Sequence, residues 1–239
     1  MDRDILELPE GEGVVVETVH DEPWLAFCHY LGDFRSRIAV NVDLPLSAIE
    51  LLHLTMHETY PGHHAERCSK EERLVRRRGL LEEAIVLVPT PQSLVTEGIA
   101  EVAPSLLLEG GAGAAIAAVV HDAGVELDLD HALAVERAAE PCGWAALNAA
   151  LLLHDAGASE HDVLAYVERW GLVTPERAGH VIRFLEEPTS RTYVVTYLAG
   201  RELCRAYVRG EPERFRHLLT EQVRVRDLPA AHHATTRLL

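Results

Sequence analysis

Residues His57-Glu58-Thr59-Tyr60-Pro61-Gly62-His63-His64 combine the side chains that grip a divalent metal and activate water. The run begins like the zinc-protease signature H-E-x-x-H, in which two His one helical turn apart share a metal. Pro61 stands in the place of the second His, and the next imidazole comes at His63. In a regular helix, side chains at i and i+4 share a face, and two imidazoles there can meet one Zn²⁺ at about 2.0–2.1 Å. His57 and His63 are six residues apart, so a regular helix would point them away from each other. Pro61 and Gly62 break that regularity. Pro61 has no N–H to return to the carbonyl of His57, and Gly62 opens dihedrals closed to other residues. A kink or bulge that absorbs the two extra residues would bring His63 beneath His57, and such distortions cluster at functional sites. Chance is the competing reading, because the chain carries 14 His and most must be surface or satisfied core residues.

A second stretch, Thr96-Glu97-Gly98-Ile99-Ala100-Glu101, lies among the apolar residues Leu94, Val95, Ile99, Val102 and Leu106. Their spacing predicts a helix on which Glu97 and Glu101 share a face. A carboxylate from a following helix is what completes a two-His zinc site and leaves a fourth position for water. The alternative is a pair of solvated acids on an outer helix face.

The elements that must position these groups are mainly helical. Val14-Val15-Val16 and Ile38 to Val42 are β-branched and bounded by Gly, Asp or Pro, so they read as two strands, the second ended by Pro45. Residues 1–45 thus form a small β element, 46–225 a helical part and 226–239 a loose tail. Ser47-Ala48-Ile49-Glu50 is a capping box that opens a helix running into His57. Ser69-Lys70-Glu71-Glu72 has the same form and predicts a new helix from there. Pro89-Thr90-Pro91 is a break, followed by a helix from about Ser93 to Leu108 that stops at Gly110-Gly111. Gly124 and Pro141-Cys142-Gly143 mark further breaks. Ser159, and Thr174 before Pro175, cap later helices; Pro188 to Ser190 precede one reaching about Arg209, and Glu211-Pro212-Glu213 opens the last.

Composition narrows the function. The 239 residues are 48% hydrophobic, enough for a core without disulfides, and Cys28, Cys68, Cys142 and Cys204 have no metal-finger spacing and read as reduced thiols. A formal net charge of −16 argues against nucleic acid and against anionic membranes; acidic surface alone accounts for it through solubility. The basic run Arg76-Arg77-Arg78 reads as a solvated helix face. The acidic opening at Met1-Asp2-Arg3-Asp4 is not that of a signal peptide, and no apolar run approaches the length of a membrane span, so the expected location is the cytoplasm.

The two chemical stretches together resemble the DUF885 family of gluzincin-like metallopeptidases, which carry H-E-x-x-P-G-H and, a few tens of residues on, E-G-W-A. Arg35 to Asn41 followed by Pro45 is similar to that family's edge strand, and Thr196-Tyr197-Leu198-Ala199-Gly200 to its late S-Y-K-x-G segment. The resemblance spans about residues 35 to 205 and implies a mainly α, gluzincin-like catalytic domain with a small N-terminal β element. It implies His57, His63 and Glu97 as metal ligands, Glu58 as general base and Tyr197 as the hydroxyl that polarises an oxyanion. His64 falls where the family varies and is the weaker ligand candidate. The edge strand, with Asn41 at its end, would bind substrate, an extended peptide pairing near Ile38 to Val42. By helical spacing alone, His53, Glu101 and Tyr193 stand beside the ligands.

The implied activity is zinc-dependent hydrolysis of a peptide or small amide, with another divalent ion also suited to the ligands. Departures from the pattern keep alternatives open: Ile99 replaces the Trp, Leu198 the Lys, and Glu66 stands where Gln is common. Family members also carry a large helical part before the strand; its lack here implies a small substrate, a homo-oligomer or partner that supplies the other half of the cleft, a chain that is the C-terminal part of a longer one, or no activity. The alternatives are a non-catalytic metal-binding helical scaffold and a helical interaction protein without metal.

Overall fold

The computed structural model describes residues 6–229. The acidic opening of the chain and residues 230–239 of the expected tail lie outside them. Three strands come first: β1 (Gly13–Val19), β2 (Ala26–Gly32) and β3 (Arg35–Asn41). Their order is β1-β3-β2, with β3 parallel to β1 and antiparallel to β2. Sequence reading expects two strands; β2 is the third, and its Cys28 and His29 hide it from a β-branched pattern. A tight hairpin joins β2 to β3 through Gly32, Asp33 and Phe34, all at positive φ.

The position of β3 corrects the expectation of an edge strand. It is the central strand, and both of its edges are occupied. Asn41 is corrected as well. It is 1% exposed, its amide donates to the carbonyls of Glu22 (2.9 Å) and Trp24 (3.2 Å), and its oxygen accepts from the N–H of Asp43 (3.0 Å). Both of its N–H donors are thus spent on the loop before β2 and its oxygen holds Asp43 beyond β3, so this buried side chain acts as a clamp between the two segments.

Helix α1 (Ala48–Glu58) opens with the expected capping box between Ser47 and Glu50. After four residues, α2 (His63–Lys70) begins and passes directly into a π turn over Glu71–Arg76. The helix start expected at Ser69 is therefore wrong. Ser69 is buried within α2 and donates to the carbonyl of Ala65 at 2.7 Å, the local bond that competes with capping. Glu71 and Glu72 instead pair with Arg76 and Arg77, five residues on, as the π turn favours.

The central helix is α3 (Pro91–Leu107), capped by Thr90 with Pro91 in its first turn. A π turn over Leu108–Ala112 follows, and the helical path breaks where expected: Gly111 has a left-handed φ of 100°, and α4 (Gly113–Asp122) starts beyond it. Then follow α5 (Leu129–Ala139), which buries none of its residues, α6 (Trp144–His154), α7 (Glu160–Gly171) and α8 (Pro175–Glu186). Ser159 and Thr174 cap α7 and α8 as expected. The last two helices are α9 (Val194–Val208) and α10 (Pro212–Thr220).

One core joins α3, α9 and α10 through Val95, Ile99, Val102, Val208, Phe215 and Leu218; another joins α6, α7 and α8 through Ala149, Val163, Val167, Ile182 and Leu185. The architecture is mainly helical with a small three-stranded N-terminal sheet. No helix among the described residues is long and apolar enough to cross a membrane, and all four Cys are free thiols.

Helices α3 and α9 cross almost backbone to backbone. A Cβ added at Gly98 would lie 2.3 Å from the carbonyl oxygen of Gly200, and one at Gly200 would lie 2.3 Å from that of Leu94. Backbone cannot yield as a side-chain tip can. Gly98→Ala should therefore lower stability by on the order of 1–3 kcal/mol, read as a reduced urea midpoint. At Gly179, inside α8, a Cβ meets nothing within 4 Å. Gly179→Ala should raise the midpoint, by roughly 0.5–1 kcal/mol from helix propensity.

Candidate metal centre

The break between α1 and α2 sets the site. Beyond Glu58, the N–H of Thr59 still reaches Thr55, but the N–H of Gly62 reaches back to Met56 (3.0 Å) and that of Ala65 to Thr59 (3.1 Å). The Tyr60–Pro61 peptide is cis. The chain folds so closely on itself that a Cβ at Gly62 would lie 1.9 Å from the carbonyl oxygen of His57 and 2.4 Å from that of Met56. Glycine is required here by space; its φ of −78° lies on the side open to every residue. Instead of one kinked helix there are two, with His57 in the last turn of α1 and His63 opening α2.

The two imidazoles meet edge to face with ring centroids 4.7 Å apart. Glu97 reaches between them from α3: His57 Nε2 is 3.3 Å from its Oε2, and His63 Nε2 is 3.3 Å from its Oε1. One ligand atom from each of the three residues lies within 4.8 Å of the others. Ligand atoms around one tetrahedral ion at protein bond lengths stand roughly 3.3–3.5 Å apart, so the spacing fits a metal. The Oε2 atom of Glu97 is buried without a hydrogen bond despite its nearness to His57, as expected of an acceptor turned to a shared centre. Two imidazoles and a carboxylate could hold a metal ion, and the set is not specific to zinc.

Neighbours fix the orientation of these groups. Tyr193 donates to Glu97 Oε1 at 2.5 Å, and Glu101 Oε1 lies 3.5 Å from His57 Nδ1, leaving Nε2 to face Glu97. Glu58, next to His57 on the chain, is 5% exposed, and its Oε2 has no hydrogen-bond partner. The Tyr197 ring stands 6.4 Å from that of His57 and 5.4 Å from that of Tyr193. A cavity of about 670 Å³ is bordered by His57, Glu58, Glu101 and Tyr197. His53 lines it farther out, 3.3 Å from Glu136 on α5.

His64 belongs elsewhere. It is fully buried, with Nδ1 at 2.7 Å from the Ser36 hydroxyl and Nε2 at 2.9 Å from Glu12, which also accepts from Tyr60. These bonds tie α2 to β3 and to the segment before β1. Sequence reading missed this tie, and nothing local in Ser36 or Glu12 signals it. It also missed the buried pair Lys70–Glu66 (2.7 Å), whose carboxylate accepts from Thr96, the residue before Glu97. The four-residue spacing of Glu66 and Lys70 was the available signal.

Charge couples the three central groups. Burial by itself would lower the pKa of His57, but its close contact with Glu97 and the fields of Glu58, Glu97 and Glu101 push it up to about 9. Burial would raise the pKa of Glu97; the two His outweigh it and hold the carboxyl well below its usual range. Burial raises Glu101, and burial together with Glu97 raises both Tyr193 and Tyr197, which stay protonated donors.

Comparison of the chain with protein-family models, with curated proteins and with solved structures finds no match, so the site is read from its own geometry.

The raised pKa of His57 has a definite sign. In the metal-free protein its protonated form contributes stability fully below the unfolded value near 6.5, and that contribution is lost as pH rises through about 9. His57→Ala should remove this part of the fall in stability, read from unfolding midpoints across that range. A metal taken up at pH 7 must displace the same proton, so Zn²⁺ titration should release about one proton, read by calorimetry in buffers of different ionisation enthalpy.

Proposed function

We propose that this protein is a zinc-dependent hydrolase of peptides or small amides, of the gluzincin-like kind suggested by HETYPGHH and TEGIA. One observation carries the reading: the convergence of His57, His63 and Glu97, from three separate helices, beside a cavity into which Glu58 brings an unpartnered carboxylate oxygen. His57, His63 and Glu97 would hold the metal. A bound zinc ion supplies a water acidified to a pKa of about 7 and a Lewis acid for the scissile carbonyl.

The chain's own residues do the rest. Glu58 takes the proton of the attacking water and delivers it to the leaving amine. The protonated hydroxyl of Tyr197 donates to the oxygen on which negative charge develops. Tyr193 holds the Glu97 carboxylate, and Glu101 holds the ring of His57. Pro23 to Ala26, leading into the edge strand β2, border the cavity, so an extended substrate would lie along β2 rather than β3.

The test uses metal analysis and hydrolysis together. Native protein should contain close to stoichiometric zinc, and His57→Ala should lose it. Glu58→Gln should keep the metal while turnover of a peptide library falls at least about 100-fold, the usual scale for a general base. Native protein without bound metal, or Glu58→Gln with undiminished activity, would overturn the assignment. Stoichiometric metal without turnover of any peptide would leave a metal-binding scaffold.

A further inference from the structure

The same cavity also carries a signature of what it receives. Buried polar atoms without partners are rare in native proteins, and each calls for an explanation. Four of those found here belong to residues that line this cavity: Glu58 Oε2, His53 Nε2, His180 Nε2 and Arg201 Nε. Glu58 belongs to the chemistry already described. The two His are held toward the neutral form, above all by burial, and so add polarity without fixed charge. Arg201 is different. It is a permanent cation, its side chain is 16% exposed, and a buried N–H of its guanidinium has no acceptor.

The surrounding acids decide the sign of the missing partner. Glu50 is taken by Arg177 at 2.8 Å, Glu136 faces His53 at 3.3 Å, and Glu101 faces His57 at 3.5 Å. Glu140 is bonded to Arg205 at 2.6 Å and stands 3.6 Å from Arg201, beyond hydrogen-bond reach; Glu202 is 3.8 Å from Arg201 Nε. Glu101 also feels the charge of Arg201. Every one of these acids has a cation or imidazole closer than, or as well as, Arg201. The wall is left with a donor in want of an acceptor.

Position supplies the rest. Tyr193, at the cap of α9, and Tyr197 and Arg201 within it follow one another at four-residue intervals, so they share a face. Tyr193 bonds Glu97, and Tyr197 stands beside His57. Arg201 is one turn farther along, about 5–6 Å. An extended chain advances about 3.3–3.6 Å per residue, so that offset, with the reach of an Arg side chain, spans one or two residues.

We infer that Arg201 anchors the free C-terminal carboxylate of a short substrate, a di- or tripeptide or an N-acyl amino acid, which is cleaved one or two residues from that end. The inference rests on the hydrolase reading and narrows it to a carboxyl-end exopeptidase or acylamino-acid amidohydrolase. A cavity of about 670 Å³ is of the size that encloses small ligands.

Two measurements test it on the full-length protein. The zinc-loaded protein is given an N-acylated dipeptide as the free acid and as the C-terminal amide. The acid should be preferred at least about tenfold in kcat/KM, chiefly through KM, as expected for a charge-assisted hydrogen bond. Arg201→Gln should bring the acid down to the level of the amide, whereas Arg201→Lys, which keeps the charge, should retain part of the preference. Separately, calorimetry with N-acetylphenylalanine and its amide, with and without chelator, reads binding without hydrolysis. Binding of the acid alone, lost in a folded Arg201→Gln protein, supports the anchor even if no peptide is cleaved, in which case only the hydrolase reading fails. Equal handling of acid and amide, unchanged in Arg201→Gln, overturns the anchor and leaves the hydrolase reading intact.

Discussion

The structure turns on one buried carboxylate. Glu97 is 4% exposed in the middle of α3, where an unpaired charge would be prohibitively costly. It is balanced by two imidazoles and a tyrosine hydroxyl that arrive from the end of α1, the start of α2 and the start of α9. Three elements must therefore close on one point. A compensated charge of this kind could hold a metal, because the two imidazoles that neutralise it can serve as ligands once a proton leaves.

Glycines set how closely those elements approach. At Gly62 the turn between α1 and α2 leaves no room for a Cβ, and at Gly98 and Gly200 the crossing of α3 and α9 leaves none either. The second contact adjoins the site directly: Gly98 follows Glu97, and Gly200 lies one turn beyond Thr196 and Tyr197. Larger residues would push α9 outward and carry Tyr193 and Tyr197 away from the carboxylate. Space, more than backbone dihedral freedom, is what these glycines provide.

Several residues with the chemistry of a site act instead as fasteners. His64 joins Ser36 and Glu12, Asn41 clamps the loop before β2, and Lys70 with Glu66 forms a buried pair behind α3. Each holds an element that presents a site residue: His64 and Glu66 steady α2, which opens with His63, and Glu66 also touches the residue before Glu97. Asn41 holds the carbonyl of Trp24, a residue that lines the cavity. Breaking one partner of such a buried pair leaves the other unsatisfied, so changes at these positions are costly.

Much of this was legible in the chain itself where the signal is local. Capping at Ser47, Ser159 and Thr174, the break at Pro61-Gly62, and the shared helical face of Glu97 and Glu101 depend on neighbours within a few residues, so residue order suffices to state them. The false start at Ser69 shows the limit, since a capping box and a buried back-bonded serine are written with the same letters. Strand order was not legible, because pairing joins segments whose contacts no spacing records: β3 became the central strand only when β1 and β2 closed on either side of it. The same holds for His63 and His64, adjacent and chemically identical. Only the tertiary structure sends one toward Glu97 and the other toward Glu12, because only folding decides which carboxylate lies on each side of α2.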